Sequence, residues 1–342
     1  MVQNKLKIAL LFVMLLVAHS IAAQVVGTPY IIPADNRPIL DQIGTTPSFA
    51  FSTRKLRAAY SGPALRLRRA TDNSQVDVAF DTNGVVSGNS IVTLVVAGSS
   101  GAVLGTTATL TAYKGTNPLY VTIWYDQGTN GFHGTQNTTT RQPEFSLNIV
   151  GPSNVYSSLV FTGASKHNVT VNQTLPILLG SGLRGSIMML ATVKNGVSTN
   201  NSFGHSDVND NNKRWSAHMN WPADNRMYTD FGSSSDLNRN FLNDTSVGLN
   251  AFKQYTMIRN TTNKIERVSG IDRNNSAQNT QSISWSAGSN FGVGLTTGSL
   301  DTVYGQNGFT GNIPEFILFP EPLSASQYNT IEYNQISFWG AY

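Results

Sequence analysis

ALRLRRATDNSQVDVAF, residues 64–80, decides the fold class. Leu65 and Leu67 alternate with Arg66 and Arg68, and Val76 and Val78 alternate with Gln75 and Asp77. Successive side chains of a strand point to opposite faces, so a period of two gives each run one apolar and one polar face. The polar run Thr71–Ser74 separates the two strands. The same texture continues outward. IVTLVV (91–96), LYVTIWY (119–125), VYSSLVF (155–161), SIMMLATV (186–193), RMYTDF (226–231), QYTMIRN (254–260), IERVSGI (265–271), NFGVGL (290–295) and PEFILF (314–319) all read as strands. Clusters of Gly, Asn, Ser and Pro divide them. Strands at this frequency, with hardly any helical period between them, predict an all-β sandwich or barrel.

Two segments read as helix. FSTRKLRAAYSG predicts a short one over Thr53–Ala59, stopped by Gly62-Pro63. SASQYNTIEYNQISFW (324–339) predicts a longer one. Ser324 is its N-cap, Gln327 sits where a capping box needs it, and Tyr328, Ile331 and Ile336 share a face.

The start of the chain has the pattern of a secretory leader. Lys5 and Lys7 precede the apolar run Ile8–Val17, and Ser20, Ala22 and Ala23 are small residues suited to cleavage. The expected division is a signal peptide over 1–23, an extended proline-rich lead-in over 24–52, and one sandwich domain over 53–342. Ile31, Ile32 and Leu40 of the lead-in are candidates for an edge strand. The expected location is therefore outside the cytoplasm, secreted or at the cell surface, with no membrane contact once the leader is removed. The 342 residues include no Cys, so stability must come from core area and ladder hydrogen bonds. Lys+Arg number 23 and Asp+Glu 19; without Lys5 and Lys7 the balance is 21 to 19, close to neutral. The basic cluster Arg54, Lys55, Arg57, Arg66, Arg68 and Arg69 has no interleaved stacking aromatics. It reads as a solvated or ion-paired strand face, and no nucleic-acid partner is expected.

Two blocks carry a family resemblance. AYSGPALRLRRATDNSQVDVAF (59–80) followed by VTIWYDQGTNGFHGTQNTTTRQPEF (121–145) resembles the front half of the α-L-arabinofuranosidase B catalytic domain. SSLVFTGASKHNVTV (157–171), RWSAHMNWPADNRMYTDFG (214–232) and GFTGNIPEFILFPEPLSASQ (308–327) resemble laminin-G-like concanavalin A sandwiches. The resemblance implies a jelly roll of two antiparallel sheets that holds sugar on a concave face or at rim loops. It also implies a catalytic pair: a Glu two residues after an Asp on a mid-domain strand, and an acid/base Asp after a Gly-rich strand end. Here Asp230 matches the first Asp, Gly232 falls at the Glu, and Ser299 falls at the acid/base, with Asp301 two residues on. The family's vicinal Cys pair is replaced by Asn201-Ser202, before Phe203. The catalytic positions are thus not kept.

Other side chains each carry two readings. Asp126 and His133, in the YDQGTNGFH loop, are ligand-binding candidates or a turn-ordering Asx residue and a structural histidine. His218 and Trp221 are candidates to line a sugar groove; Trp215 and Trp221 could equally be core. The loop GHSDVNDNN offers Asp207 and Asp210 as oxygen ligands for Ca²⁺, or as a simple polar turn. No cofactor is expected otherwise. Three functions follow: an exported sugar- or surface-binding sandwich without catalysis; an arabinofuranosidase using Asp230 and Asp301 as a displaced pair; or a structural or adhesive cell-surface or fibre component, open to self-association. The expected partner of the first is a glycan or cell-surface polysaccharide.

Overall fold

A computed structural model of the chain describes residues 37–180, 184–210, 212–232, 239–277, 290–299, 301 and 307–342. The expected leader (1–23) and the first part of the lead-in, with Ile31 and Ile32, lie outside the described residues. In chain order the strands begin with β1 (Phe49–Ser52), β2 (Leu65–Arg69), β3 (Gln75–Val78), β4 (Ile91–Val96), β5 (Thr107–Thr109), β6 (Leu119–Trp124) and β7 (Gly134–Thr135). They continue with β8 (Glu144–Val150), β9 (Tyr156–Phe161), β10 (Val169–Val171), β11 (Gly185–Val193), β12 (Ser202–Ser206), β13 (Arg214–Trp221) and β14 (Arg226–Phe231). The last are β15 (Arg239–Leu242), β16 (Phe252–Arg259), β17 (Asn263–Val268), β18 (Ile271–Ala277), β19 (Phe291–Val293), β20 (Thr296–Thr297) and β21 (Gly311–Phe319).

The long path of the larger sheet runs β18-β17-β16-β11-β21-β9-β8-β6-β2-β3-β4-β5, with β1 paired to β21. A five-stranded sheet, β15-β14-β13-β12-β20, faces it. The pairings are antiparallel apart from β12 with β20. All-β sandwich is therefore the architecture, and Arg37–Tyr342 forms one unit. Among the described residues no helix is long and apolar enough to cross a membrane.

Aromatic side chains fill the space between the layers. Phe203 of the small sheet meets Phe316 of the large one edge-on at 5.2 Å, and Trp215 stacks on Phe231 at 3.9 Å. Phe49, Phe291 and Phe316 complete the cluster, all fully buried. Each such ring contributes roughly 1.5–3 kcal/mol through burial, so a chain without disulfides holds its layers through them. Trp215 is core and Trp221 is only half-buried, which separates the two tryptophans.

The C-terminal helix (Ala325–Trp339) has the expected capping box of Ser324 with Gln327. Ile331 packs with Met188, Ile258 and Ile317 on the outer side of the large sheet. Its buried face also carries Glu332, Gln335 and Trp339, and Ile336 is only partly covered. These polar groups are paired. Glu332 accepts from Arg267 Nε at 2.8 Å, while Gln335 Nε2 donates to fully buried Glu315 at 2.9 Å.

The short helix expected over Thr53–Ala59 does not form. Thr53 N–H instead donates to Pro314 O at 3.0 Å, extending the β1 pairing, and Arg54 bridges to Val85. Arg54 is nearly buried because its guanidinium bonds Glu315 through Nε (2.7 Å) and Nη2 (3.1 Å). Long-range pairing outweighs the local helical period here. Arg66 with Asp77 and Arg69 with Asp72 likewise form the ion-paired face expected of the basic strand.

Candidate functional site

Strand alternation places the inward residues of the small sheet, Phe203, Trp215, Ala217, Met227 and Phe231, in the core. Ser206, Arg214, Ser216, His218 and Asp230 therefore occupy its other face. The register sets them side by side: Ser206 opposite Arg214, and Ser216 opposite Asp230, which lies opposite Arg239.

Asp230 is fully buried and clamped. Arg239 donates to it in a fork, Nε to Oδ1 at 2.8 Å and Nη2 to Oδ2 at 3.0 Å. Arg214 Nε lies 2.9 Å from Oδ2. Burial pushes the Asp230 carboxyl up, but the Arg239 hydrogen bonds and the Arg214 charge reverse this and leave it below the ordinary carboxylate range. His218 Nε2 is 3.8 Å from the same carboxylate. Burial lowers its pKa to about 3, so the imidazole is neutral, and neither ring nitrogen finds a hydrogen-bond partner among the described residues. Trp221 stands edge-on to His218 at 5.4 Å and to Tyr228 at 6.1 Å. His218, Trp221 and Asp230 are thus brought together, but His218 and Asp230 form a closed polar layer and not an open groove.

The positions expected to carry catalysis converge on this end of the sheet without carboxylates. Gly232 N–H donates to Arg214 O at 2.7 Å, and its φ of 136° is a backbone state that glycine favours. A Glu there would meet a strained backbone. Ser299 Oγ donates to Ser206 Oγ at 3.2 Å. Gly298 lies so close to β12 that a Cβ would sit 1.8 Å from Ser206 O. Asn201 and Ser202, in place of the Cys pair, are structural ties: Asn201 Nδ2 donates to Lys194 O at 2.8 Å, and Ser202 Oγ donates to Asn307 O.

Asp301 does not join Asp230. Its carboxylate accepts from Lys166 Nζ at 2.8 Å and from Arg141 Nη1 at 3.2 Å. With Arg141 it lines an open cleft of about 320 Å³ whose other walls include Gln136, Asn168, Thr170 and His205. The amides are pre-set: Gln136 Nε2 donates to Asn168 Oδ1 at 2.7 Å, and Asn168 Nδ2 donates to Thr170 Oγ1 at 2.9 Å. Burial lowers the pKa of His205 to about 4, so it too is neutral, and its Nδ1 lies 3.0 Å from Thr297 Oγ1. The cleft therefore presents fixed amides and hydroxyls beside a two-cation, one-anion cluster.

Asp126 and His133 order a loop elsewhere. Asp126 Oδ1 accepts from Ala50 N and Gly128 N, both at 2.8 Å, and Oδ2 accepts from Phe132 N at 3.1 Å. His133 Nδ1 accepts from Asp126 N at 3.1 Å. Gln127 fastens the same loop to Ser52, Arg54 and Leu56. The YDQ motif is a knot of buried backbone partners. Asp207 Oδ1 accepts from Asn209 N at 2.8 Å and Asp210 N at 3.2 Å, the geometry of a polar turn. Among the described residues no three His, Asp or Glu side chains gather as a metal site.

One cluster had no sequence signal beyond an ordinary charged strand. Lys264 and Glu266 of β17, with Arg259 of β16, point between the layers. Lys264 Nζ donates to Thr229 O at 2.7 Å, Glu266 accepts from Thr229 Oγ1, and Arg259 Nη1 donates to Phe231 O. Burial lowers the Lys264 pKa to about 8 and raises that of Glu266. These groups pin β14, and with it Asp230, from behind.

No family model matches the chain, and no curated protein matches it. Solved structures do. An arabinofuranosidase complexed with arabinofuranosyl-α-1,2-xylobiose is similar at a TM-score of 0.58 and 14% identity, over 88% of this chain and 64% of that one. A GH54 α-L-arabinofuranosidase soaked with a cyclic sulfate inhibitor gives 0.56 and 14% over the same shares. The chain spans less than two thirds of the length of these neighbours, and what it has in common with them is the arabinofuranosidase-like β-sandwich fold.

Proposed function

We propose that this chain is an exported protein that binds glycans without cleaving them, through the cleft of Gln136, Asn168 and Arg141. The observation that carries the reading is the clamp on Asp230. Glycoside cleavage with retention needs two carboxylates about 5 Å apart, one of them a nucleophile. Asp230 is held ionised, buried and bonded to two arginines, position 232 is a glycine in a glycine backbone, and position 299 is a serine. The cleft beside them supports binding, because rigid amide and hydroxyl pairs suit a polyhydroxyl ligand, and a fold of this kind holds arabinofuranosyl-xylobiose in a solved neighbour. Export is supported by Lys5, Lys7 and the apolar run Ile8–Val17.

The test is calorimetric titration of residues 24–342 with the binders found on a glycan array. Binding that is lost in Asn168→Ala at an unchanged melting temperature supports the reading; silence across the array sinks it. A second reading, self-association, is favoured by exposed Ile91, Val103 and Leu104 around the short edge strand β5. Sedimentation equilibrium of the same protein decides it, since a monomer at all concentrations removes it.

A further inference from the structure

A second cleft, of about 560 Å³, opens among strands β8, β9, β21, β11 and β16 of the large sheet. The registers align Phe252, Thr192, Asn312 and Val160 in one row across four of those strands. Ala191, Val193, Phe161 and Ile313 point into the core, so the row lies on the outer face. Three strand spacings of about 4.8 Å make the row roughly 14 Å long, room for a short oligosaccharide.

Its chemistry is unlike that of the first cleft, whose polar groups bond one another. The Thr192 hydroxyl and the side-chain amides of Asn312 and Asn154 make no hydrogen bond among the described residues, although Thr192 is only 7% exposed. Phe252, half-buried and backed edge-on by Trp339 at 6.4 Å, supplies an apolar wall of the kind that packs on the C–H face of a sugar ring. Among the described residues Lys194 is the only charged one that lines the cleft, and its ammonium forms no ion pair with any of them. Its backbone is fixed, because Lys194 O accepts from Asn201 Nδ2 and Lys194 N donates to Thr310 O. A single unopposed cation is too little for a nucleic acid, which needs a row of them. It suits one carboxylate on an otherwise uncharged ligand.

We infer that this cleft is a second glycan site, that it takes an oligosaccharide containing a uronic acid, and that Lys194 receives the carboxylate while Asn312, Thr192 and Phe252 hold the rings. This inference stands apart from the first cleft. The test is calorimetric titration of residues 24–342 with xylobiose carrying a single glucuronic acid and with the methyl ester of that acid, which keeps the shape and removes the charge. The free acid should bind about fivefold more tightly than the ester, the worth of one partly exposed ion pair. Lys194→Met should abolish that preference, Asn312→Ala should weaken both ligands, and Arg66→Gln, an ion-paired cation outside both clefts, should change neither. Melting curves of the variants control for folding, and a conservative Lys194→Arg variant should retain the preference. Equal binding of acid and ester, no binding of either, or a preference that survives Lys194→Met would overturn the inference. So would a preference lost in Arg141→Gln and kept in Lys194→Met, which would assign the acid to the first cleft.

Discussion

Asp230→Asn should destabilise this protein. The carboxylate is fully buried and its two arginine side chains are 10% and 29% exposed. Removing one member of such a buried cluster costs about 3–5 kcal/mol. Arg239 is the more exposed of the two and stacks at 5.0 Å on Tyr228, so it can turn toward water and keep part of its contacts. Arg214 cannot do so as readily, which sets the expected loss near the lower end, about 3 kcal/mol. At about 2–4 °C per kcal/mol for a large domain, the melting temperature should fall by roughly 6–12 °C. Calorimetric melting and urea titration at pH 7 measure it. A double variant, Asp230→Asn with Arg214→Met, should recover part of the loss because it removes one of the two cations that the carboxylate balances. A carboxylate kept for chemistry behaves in the opposite way, since active sites are commonly strained and gain stability when disarmed. An Asp230→Asn protein as stable as the parent, or more stable, would refute the clamp.

Further outcomes follow from the buried bases and the tight glycines. His218 and His205 have folded pKa values lowered to about 3 and about 4 by burial, against about 6.5 unfolded, so the unfolded chain takes up their protons first. Their contribution is complete above about pH 6.5 and is lost as pH falls toward 4; urea midpoints between pH 7.5 and 5 should drop less steeply in His218→Asn than in the parent, and equal slopes would contradict this. Lys264 runs the same way at higher pH: its folded value of about 8 lies below the ordinary 10.5, so its contribution to stability grows from about pH 8 to about 10.5, a rise that Lys264→Met should remove from urea midpoints taken across that window. Gly308→Ala should cost about 1–3 kcal/mol in the same assay, because its Cβ would fall 2.3 Å from Gly163 O and 2.5 Å from Gly163 Cα, and backbone cannot step aside; an unchanged midpoint would show that the two loops yield.

The sandwich was legible wherever alternation or a local motif carried the signal. β2 and β3 follow the Leu/Arg and Val/Gln/Asp period, and the capping box of the C-terminal helix is visible in four residues. β1 and β12 were not. Phe49–Ser52 sits among prolines and reads as part of a lead-in, yet it is a fully buried strand whose position comes from pairing with β21. Ser202–Ser206 contains Gly, His and two Ser, and is a strand because β13 and β20 flank it. The site divides along the same line. The sequence alone sets Gly232 and Ser299 where the resemblance implies carboxylates. The clamp could not be read from it, because Arg214 and Arg239 reach Asp230 only through the registers of β13 and β15. Nor could the part played by Asp126, whose partners include the backbone of Ala50 in β1.

The claim on which the rest depends is that the sugar-cleaving chemistry of this fold is absent here while its sandwich is intact. Release of p-nitrophenol from p-nitrophenyl α-L-arabinofuranoside by purified residues 24–342 tests it most directly. The account predicts release no faster than in buffer. Sustained release by the parent protein that disappears in Asp230→Asn, at a temperature where both are folded, would contradict it.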